Sequence, residues 1–168
     1  LGGPTAGRMQ SVDLGNPHLV VEVDDVDAVD LGSVGPSIEA HFGQVGCNVH
    51  MVTVLDRSTL RLRPWERGAG LTEACGSGAC AAAVSAILRG RVDARVVVAL
   101  RGGELEIEWQ GRDDPAASVF MTGPAAESGT SITTSSTGSH CCPSISLMMI
   151  SGRETANSNP SRRSVSIK

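Results

Sequence analysis

The segment Ala74-Cys-Gly-Ser-Gly-Ala-Cys-Ala-Ala-Ala-Val-Ser-Ala-Ile-Leu-Arg-Gly90 constrains the fold more than any other part of the chain. From Gly78 to Arg89 it reads as one helix, ended by Gly90 in the usual capping position. Its residues are small or apolar nearly all the way round. A helix with no polar face is buried on all sides, so other elements must enclose it. Aromatic residues make up only 2% of the chain and Tyr is absent. The surrounding core must therefore come from Val, Leu, Ile and Ala.

Strand patterns supply that enclosure. Strands are expected at about residues 19–23, 49–55, 60–65, 96–100, 104–109 and 119–121. The alternation Leu60-Arg-Leu62-Arg, and again Leu105-Glu-Ile107-Glu-Trp109, gives a strand with one wet face. Arg101-Gly102-Gly103 between two apolar runs reads as a hairpin turn. A short helix is expected over Val34–Phe42. The Asp24-Asp25-Val26-Asp27 run reads as a solvated loop, since it lacks the Gly and Glu of an EF-hand. The fold class that follows is α+β, with strands wrapped around a central buried helix.

Residues 1–125 form the patterned domain. Residues 126–168 hold 17 Ser or Thr among 43 positions, against 12 in the first 125, and show little periodicity. That composition points to a disordered or aberrant tail, natural or arising from a change of reading frame.

Several function classes drop out. The net charge is −4, and no basic stripe with interleaved aromatics suggests nucleic-acid binding. No apolar run approaches the roughly 20 residues that span a bilayer. The amino terminus lacks the basic and apolar segments of a signal peptide. With five cysteines, an odd number, a reducing cytoplasmic setting is expected. The only lysine is Lys168, so no well-placed Schiff-base lysine is available to pyridoxal phosphate.

The chemistry concentrates around Cys75. It sits just before the buried helix, where free N–H groups face incoming negative charge. That field favours thiolate and is expected to lower the thiol pKa. Gly76 and Gly78 let a ligand approach the backbone. A carboxylate on the helix start beside a thiolate suits proton abstraction alpha to that carboxylate. The blander reading is an ordinary buried thiol, and that is the reading for Cys80. Gly15-Asn16-Pro17-His18 is locally a turn signal. Cys47-x-x-His50 with Cys75 and Cys80 fits no standard zinc spacing, so no metal is expected. Gly76-Ser77-Gly78 lacks the remainder of a phosphate or dinucleotide loop. His41 and His140 have no partner pattern and are expected to face solvent.

Five motifs in order resemble those of diaminopimelate epimerases. They are Gly15-Asn16-Pro17-His18, Asn48-Val49, Glu66-Arg67-Gly68-Ala69-Gly70, Ala74-Cys75-Gly76-Ser77-Gly78-Ala79 and Met121-Thr122-Gly123-Pro124-Ala125. The resemblance runs from about residue 11 to residue 125. It implies a cofactor-independent isomerase with two thiols, one removing an alpha proton and the other returning one on the opposite face. Its substrate would be diaminopimelate, in lysine and peptidoglycan precursor synthesis. By the same resemblance Cys75 is one of the two thiols, with His18 and Glu66 as its catalytic neighbours. Asn16, Asn48, Glu66 and Arg67 would bind substrate, and Gly76 and Ser77 would receive the alpha carboxylate.

Two departures qualify the match. The family's amino-terminal half, with the second catalytic Cys, has no counterpart here, and the family's closing strand is replaced by the Ser/Thr-rich tail. The expectation is therefore one half of a two-domain enzyme, inactive alone and a possible homodimer when intact. Competing readings are a related proline or hydroxyproline racemase, and a non-catalytic remnant or binding module.

Overall fold

The structure, a computed structural model, describes residues 8–43, 46–113 and 117–123, together with the backbone of three further strands. The strands are β1 (Met9–Asp13), β2 (Pro17–Glu22), β3 (Asn48–Val54), β4 (Thr59–Glu66) and β5 (Gly70–Leu71), followed by β6 (Arg95–Leu100), β7 (Gly103–Glu108) and β8 (Val119–Thr122). The backbone-only strands are β9 (Met148–Ile150), β10 (Gly152–Thr155) and β11 (Ser164–Ile167). The helices are α1 (Leu31–His41) and α2 (Gly76–Leu88). The expected disorder of residues 126–168 concerns a segment that, apart from these three backbones, lies outside the described residues.

The strands form one curled, half-barrel sheet in the order β10-β11-β1-β2-β3-β4-β6-β7-β8-β9, with β5 hung on β4. β2 and β3 pair in parallel, and α1 lies between them in sequence. β4 and β6 are likewise parallel, with α2 between them in sequence. Such crossovers need a dozen or more residues, which the helical segments provide. The Arg101-Gly102 hairpin forms as expected, joining Leu100 to Gly103.

α2 is buried from Gly78 to Ile87. It packs against β1, β2, β3, β4, β6, β7 and β8. Its Ala and Val side chains meet Val12, Val20, Val52, Leu60, Leu62, Val98 and Ile107 in the main core. A second core, under α1, joins Val21, Leu31, Val49 and Met51 to Trp65. The two cores lie on opposite faces of β2 and β3. Successive residues along β3 therefore point into one core or the other, and the strand reads Asn-Val-His-Met-Val without a wet face. Each large apolar side chain fully buried in this way stabilises the fold by about 1.5–3 kcal/mol.

Some boundaries differ from expectation. α2 starts at Gly76, two residues early, because Cys75 itself is the N-cap. α1 starts at Leu31 rather than Val34, because the Asp30 side chain accepts from Ser33 N at 3.3 Å and from its hydroxyl at 2.6 Å. β1 was not foreseen, because one of its two inward residues is the polar Gln10. Gln10 is satisfied on Oε1 by the Ser85 hydroxyl of α2, 2.9 Å away. The aspartate run is not a plain loop: Asp25 caps a 3-10 turn over Val26–Ala28 that buries Val26.

Candidate functional site

Cys75 Sγ occupies the N-cap position of α2 and accepts a hydrogen bond from Gly78 N at 3.3 Å. The Ser77 hydroxyl lies 3.6 Å from the same sulfur. The loop leading to Cys75 is pinned by the β6–β7 hairpin, where Gly102 N donates to Glu73 O at 2.8 Å. Met121 of β8 closes over Gly76, where an added Cβ would lie 3.2 Å from the Met121 sulfur. The last motif of the sequence therefore comes back to the helix start.

The expected fall in the Cys75 pKa is not found; the shift is upward. Burial is the main cause, and it outweighs the help from Ser77 and from Gly78 N. The Glu66 carboxylate, which accepts a hydrogen bond from the thiol, adds to the rise. Cys75 therefore rests as a thiol with an acceptor carboxylate at hand. Cys80 is a core thiol pushed up to about 12 by burial. Cys47 is pushed up to about 11, again by burial.

Glu66 ends β4, and its Oε1 accepts from the Thr72 hydroxyl at 2.6 Å. The turn after it needs positive φ at Gly68 (76°) and Gly70 (77°), a conformation that side-chain-bearing residues seldom adopt. This turn is held from both sides. Asn48 Oδ1 accepts from Arg67 N at 3.0 Å. Glu39 of α1 accepts from Gly68 N at 3.2 Å and from Trp65 Nε1 at 2.8 Å. The Arg67 side chain lies against Gly46, where an added Cβ would fall 2.0 Å from Arg67 Cδ. Gly46 is thus the residue that leaves room for it.

His18 is 1% exposed. Its Nε2 is 3.0 Å from Asn16 Oδ1, and its Nδ1 is 2.7 Å from Nε2 of His50. The parallel register sets His18 beside Asn48. The His50 ring lies against the helix start, and a Cβ on Gly78 would sit 2.4 Å from His50 Cε1. Burial lowers both imidazoles, His18 to about 4 and His50 to about 3, so both are neutral at pH 7.

The structure thus gathers Cys75, Ser77, Glu66, His18 and Asn16, with Asn48 holding the Arg67 backbone alongside. Sequence reasoning missed three supporting residues. His50 was weighed only as a metal ligand, while Thr72 and Glu39 carried no signal, since their roles depend on contacts across the fold. Among the described residues no group of three or more His, Cys, Asp or Glu could hold a metal ion. His41 is exposed, as expected, and His140 lies outside the described residues. Among the described residues no helix is long and apolar enough to cross a membrane.

The family model described as diaminopimelate epimerase matches residues 10–127. The chain belongs to the diaminopimelate epimerase family. It is 52% identical over 121 residues to the diaminopimelate epimerase of Ectopseudomonas mendocina, an alignment covering 71% of this chain and 42% of that protein. The diaminopimelate epimerase of Nitrosomonas europaea is 49% identical over 119 residues, covering 70% and 42%. That of Synechocystis is 50% identical over 116 residues, covering 68% and 40%. The chain therefore spans about two fifths of the length of these relatives.

Solved structures share the fold. A phenazine biosynthesis protein of the PhzF family from Enterococcus faecalis superposes with a TM-score of 0.50 at 14% identity, over 65% of this chain and 38% of that one. The PhzF-family protein of Bacillus anthracis gives 0.51 at 19% identity, over 70% and 39%.

Proposed function

We propose that this chain supplies one half of a diaminopimelate epimerase active site, in which the fold is the family's barrel wrapped around α2. The reaction interconverts LL- and meso-diaminopimelate without a cofactor, a step of lysine and peptidoglycan precursor synthesis. The observation that carries the reading is the thiol of Cys75 at the mouth of α2, between Gly78 N–H and the Glu66 carboxylate.

A second thiolate, from a segment of the protein outside this chain, takes the alpha proton and leaves an enediolate. Cys75, resting protonated, gives its proton to the opposite face of that carbon. The new Cys75 thiolate is held by the Gly78 N–H and the Ser77 hydroxyl. The N–H groups at Gly76 and Ser77 receive the alpha carboxylate and stabilise the enediolate. Arg67 adds a bidentate contact to a substrate carboxylate, and Asn16 and Asn48 line the site. Glu66 accepts from the thiol, serves its protonation and binds substrate beside it, while His18, whose ring nitrogens meet Asn16 and His50, supports the site next to them.

The test is to join the chain to the amino-terminal part of the Ectopseudomonas mendocina enzyme. The 168-residue chain alone should show no measurable epimerisation, and the joined protein should invert diaminopimelate. Faster turnover of proline than of diaminopimelate would replace this assignment with the related racemase. A well-folded joined protein that inverts neither would leave a binding module.

A further inference from the structure

His50 is fully buried, and its ring fills the space that Gly78 leaves at the start of α2. Its Nε2 meets His18 Nδ1 at 2.7 Å, and His18 Nε2 meets Asn16 Oδ1 at 3.0 Å. His50 Nδ1 is buried without a hydrogen-bond partner among the described residues. These contacts form a three-membered chain that ends blind at His50 and open at the half-buried Asn16.

The blind end sets the direction of the chain. Were Asn16 to donate, His18 would donate onward from Nδ1, and His50 would be left with a buried Nδ1–H and no acceptor. Buried N–H groups are seldom left in that state, whereas an under-used acceptor is better tolerated. In the other direction, His50 Nε2–H donates to His18 Nδ1, and His18 Nε2–H donates to Asn16 Oδ1. Only a lone pair on His50 is then unused. With its oxygen taken, the Asn16 carboxamide has its two N–H groups left to offer.

We infer that His50 is a positioning residue: its Nε2–H fixes the tautomer of His18 and, through it, turns the amide of Asn16 so that a substrate carboxylate meets N–H donors. This rests on the epimerase reading only for the identity of the substrate. His50 acts through His18 and Asn16 and touches no reacting atom. The ordering of a site group by a partner behind it is the same device that fixes metal-bound histidines, where losing the partner costs about 10–100-fold.

The direct test is a long-range proton–nitrogen correlation spectrum of the imidazole-labelled 168-residue chain at neutral pH. His18 should carry its proton on Nε2, with Nδ1 bare. His50→Gln, whose amide can still donate, should keep that tautomer with Nδ1 hydrogen-bonded, and His50→Leu should move the His18 Nδ1 resonance to that of an acceptor without a bond. In the joined enzyme His50→Leu should raise KM for diaminopimelate roughly tenfold with a smaller change in kcat, and His50→Gln should restore most of it. A wild-type His18 protonated on Nδ1, or charged, overturns the inference. So does a His18 Nδ1 resonance that is unchanged in His50→Leu. If His50→Leu does not fold, the wild-type and His50→Gln spectra decide. Because the tautomers are read without turnover, they are independent of whether the joined protein is an epimerase.

Discussion

Cys75→Ala in the joined enzyme should lower kcat for diaminopimelate by roughly 10³-fold or more while leaving the fold intact. The expectation follows from what the sulfur does at the end of α2. It is the N-cap of a helix whose residues 78–87 are buried, and it accepts from Gly78 N. Losing a cap costs about 1 kcal/mol of stability. That is a small part of the 5–15 kcal/mol typical of a domain, so the variant should remain folded. A positioned proton donor, by contrast, contributes about 10²–10⁴-fold to rate, and the proposed inversion returns its proton from this sulfur. Circular dichroism of the chain and turnover of the joined enzyme separate the two effects. Turnover within tenfold of wild type in a folded Cys75→Ala protein would remove the role assigned to the thiol.

The 168-residue chain should also lose stability in mild acid, beginning above the pH at which carboxylates titrate. His18 and His50 are buried as neutral rings, with pKa values lowered from 6.5 to about 4 and about 3. Between pH 6.5 and 4 the unfolded chain binds protons at these positions and the folded chain does not. Stability therefore rises with pH across that window and falls as the solution is acidified. The shift at His18 alone corresponds to roughly 3 kcal/mol, and His50 adds to it. For a chain of this length the thermal midpoint should drop by on the order of 10 °C between pH 7 and pH 4.5. His50→Gln removes one of the two rings and should flatten the slope. A midpoint that does not move over this range would contradict the burial of the pair.

The fold and site were legible in the sequence to different degrees, for physical reasons. α2 was legible because a run of small and apolar residues without a polar face can only be buried. β4 and β7 were legible because charged and apolar residues alternate along each, although the wet face expected for β4 reduces to Arg61, since Arg63 is buried and Trp65 packs on the second core. β3 lies between two cores, so its residues carry no such alternation and give no register. Without the register, nothing placed His50 behind His18. The pairing emerges only when His18 lies beside Asn48 on parallel strands. Glu39 was equally silent, since its two bonds to Trp65 and Gly68 cross from α1 to the end of β4.

The state of Cys75 was misjudged for a related reason. The favourable field of the helix start can be read from sequence, because it follows from position alone. Desolvation by the surrounding strands, and the carboxylate of Glu66 nearby, depend on tertiary packing, and together they outweigh that field. A thiol that rests protonated beside an acceptor fits the donor in a pair of opposed thiols better than a permanently ionised base.

In the proposed reaction Cys75 returns a proton to one face of a carbon whose proton leaves from the other. The direct measurement is epimerisation of LL-diaminopimelate by the joined enzyme in D2O, stopped early, with both isomers recovered. Deuterium is expected at the inverted carbon of the product, with little in the recovered substrate. Equal early labelling of substrate and product would point to a single exchanging base and contradict it.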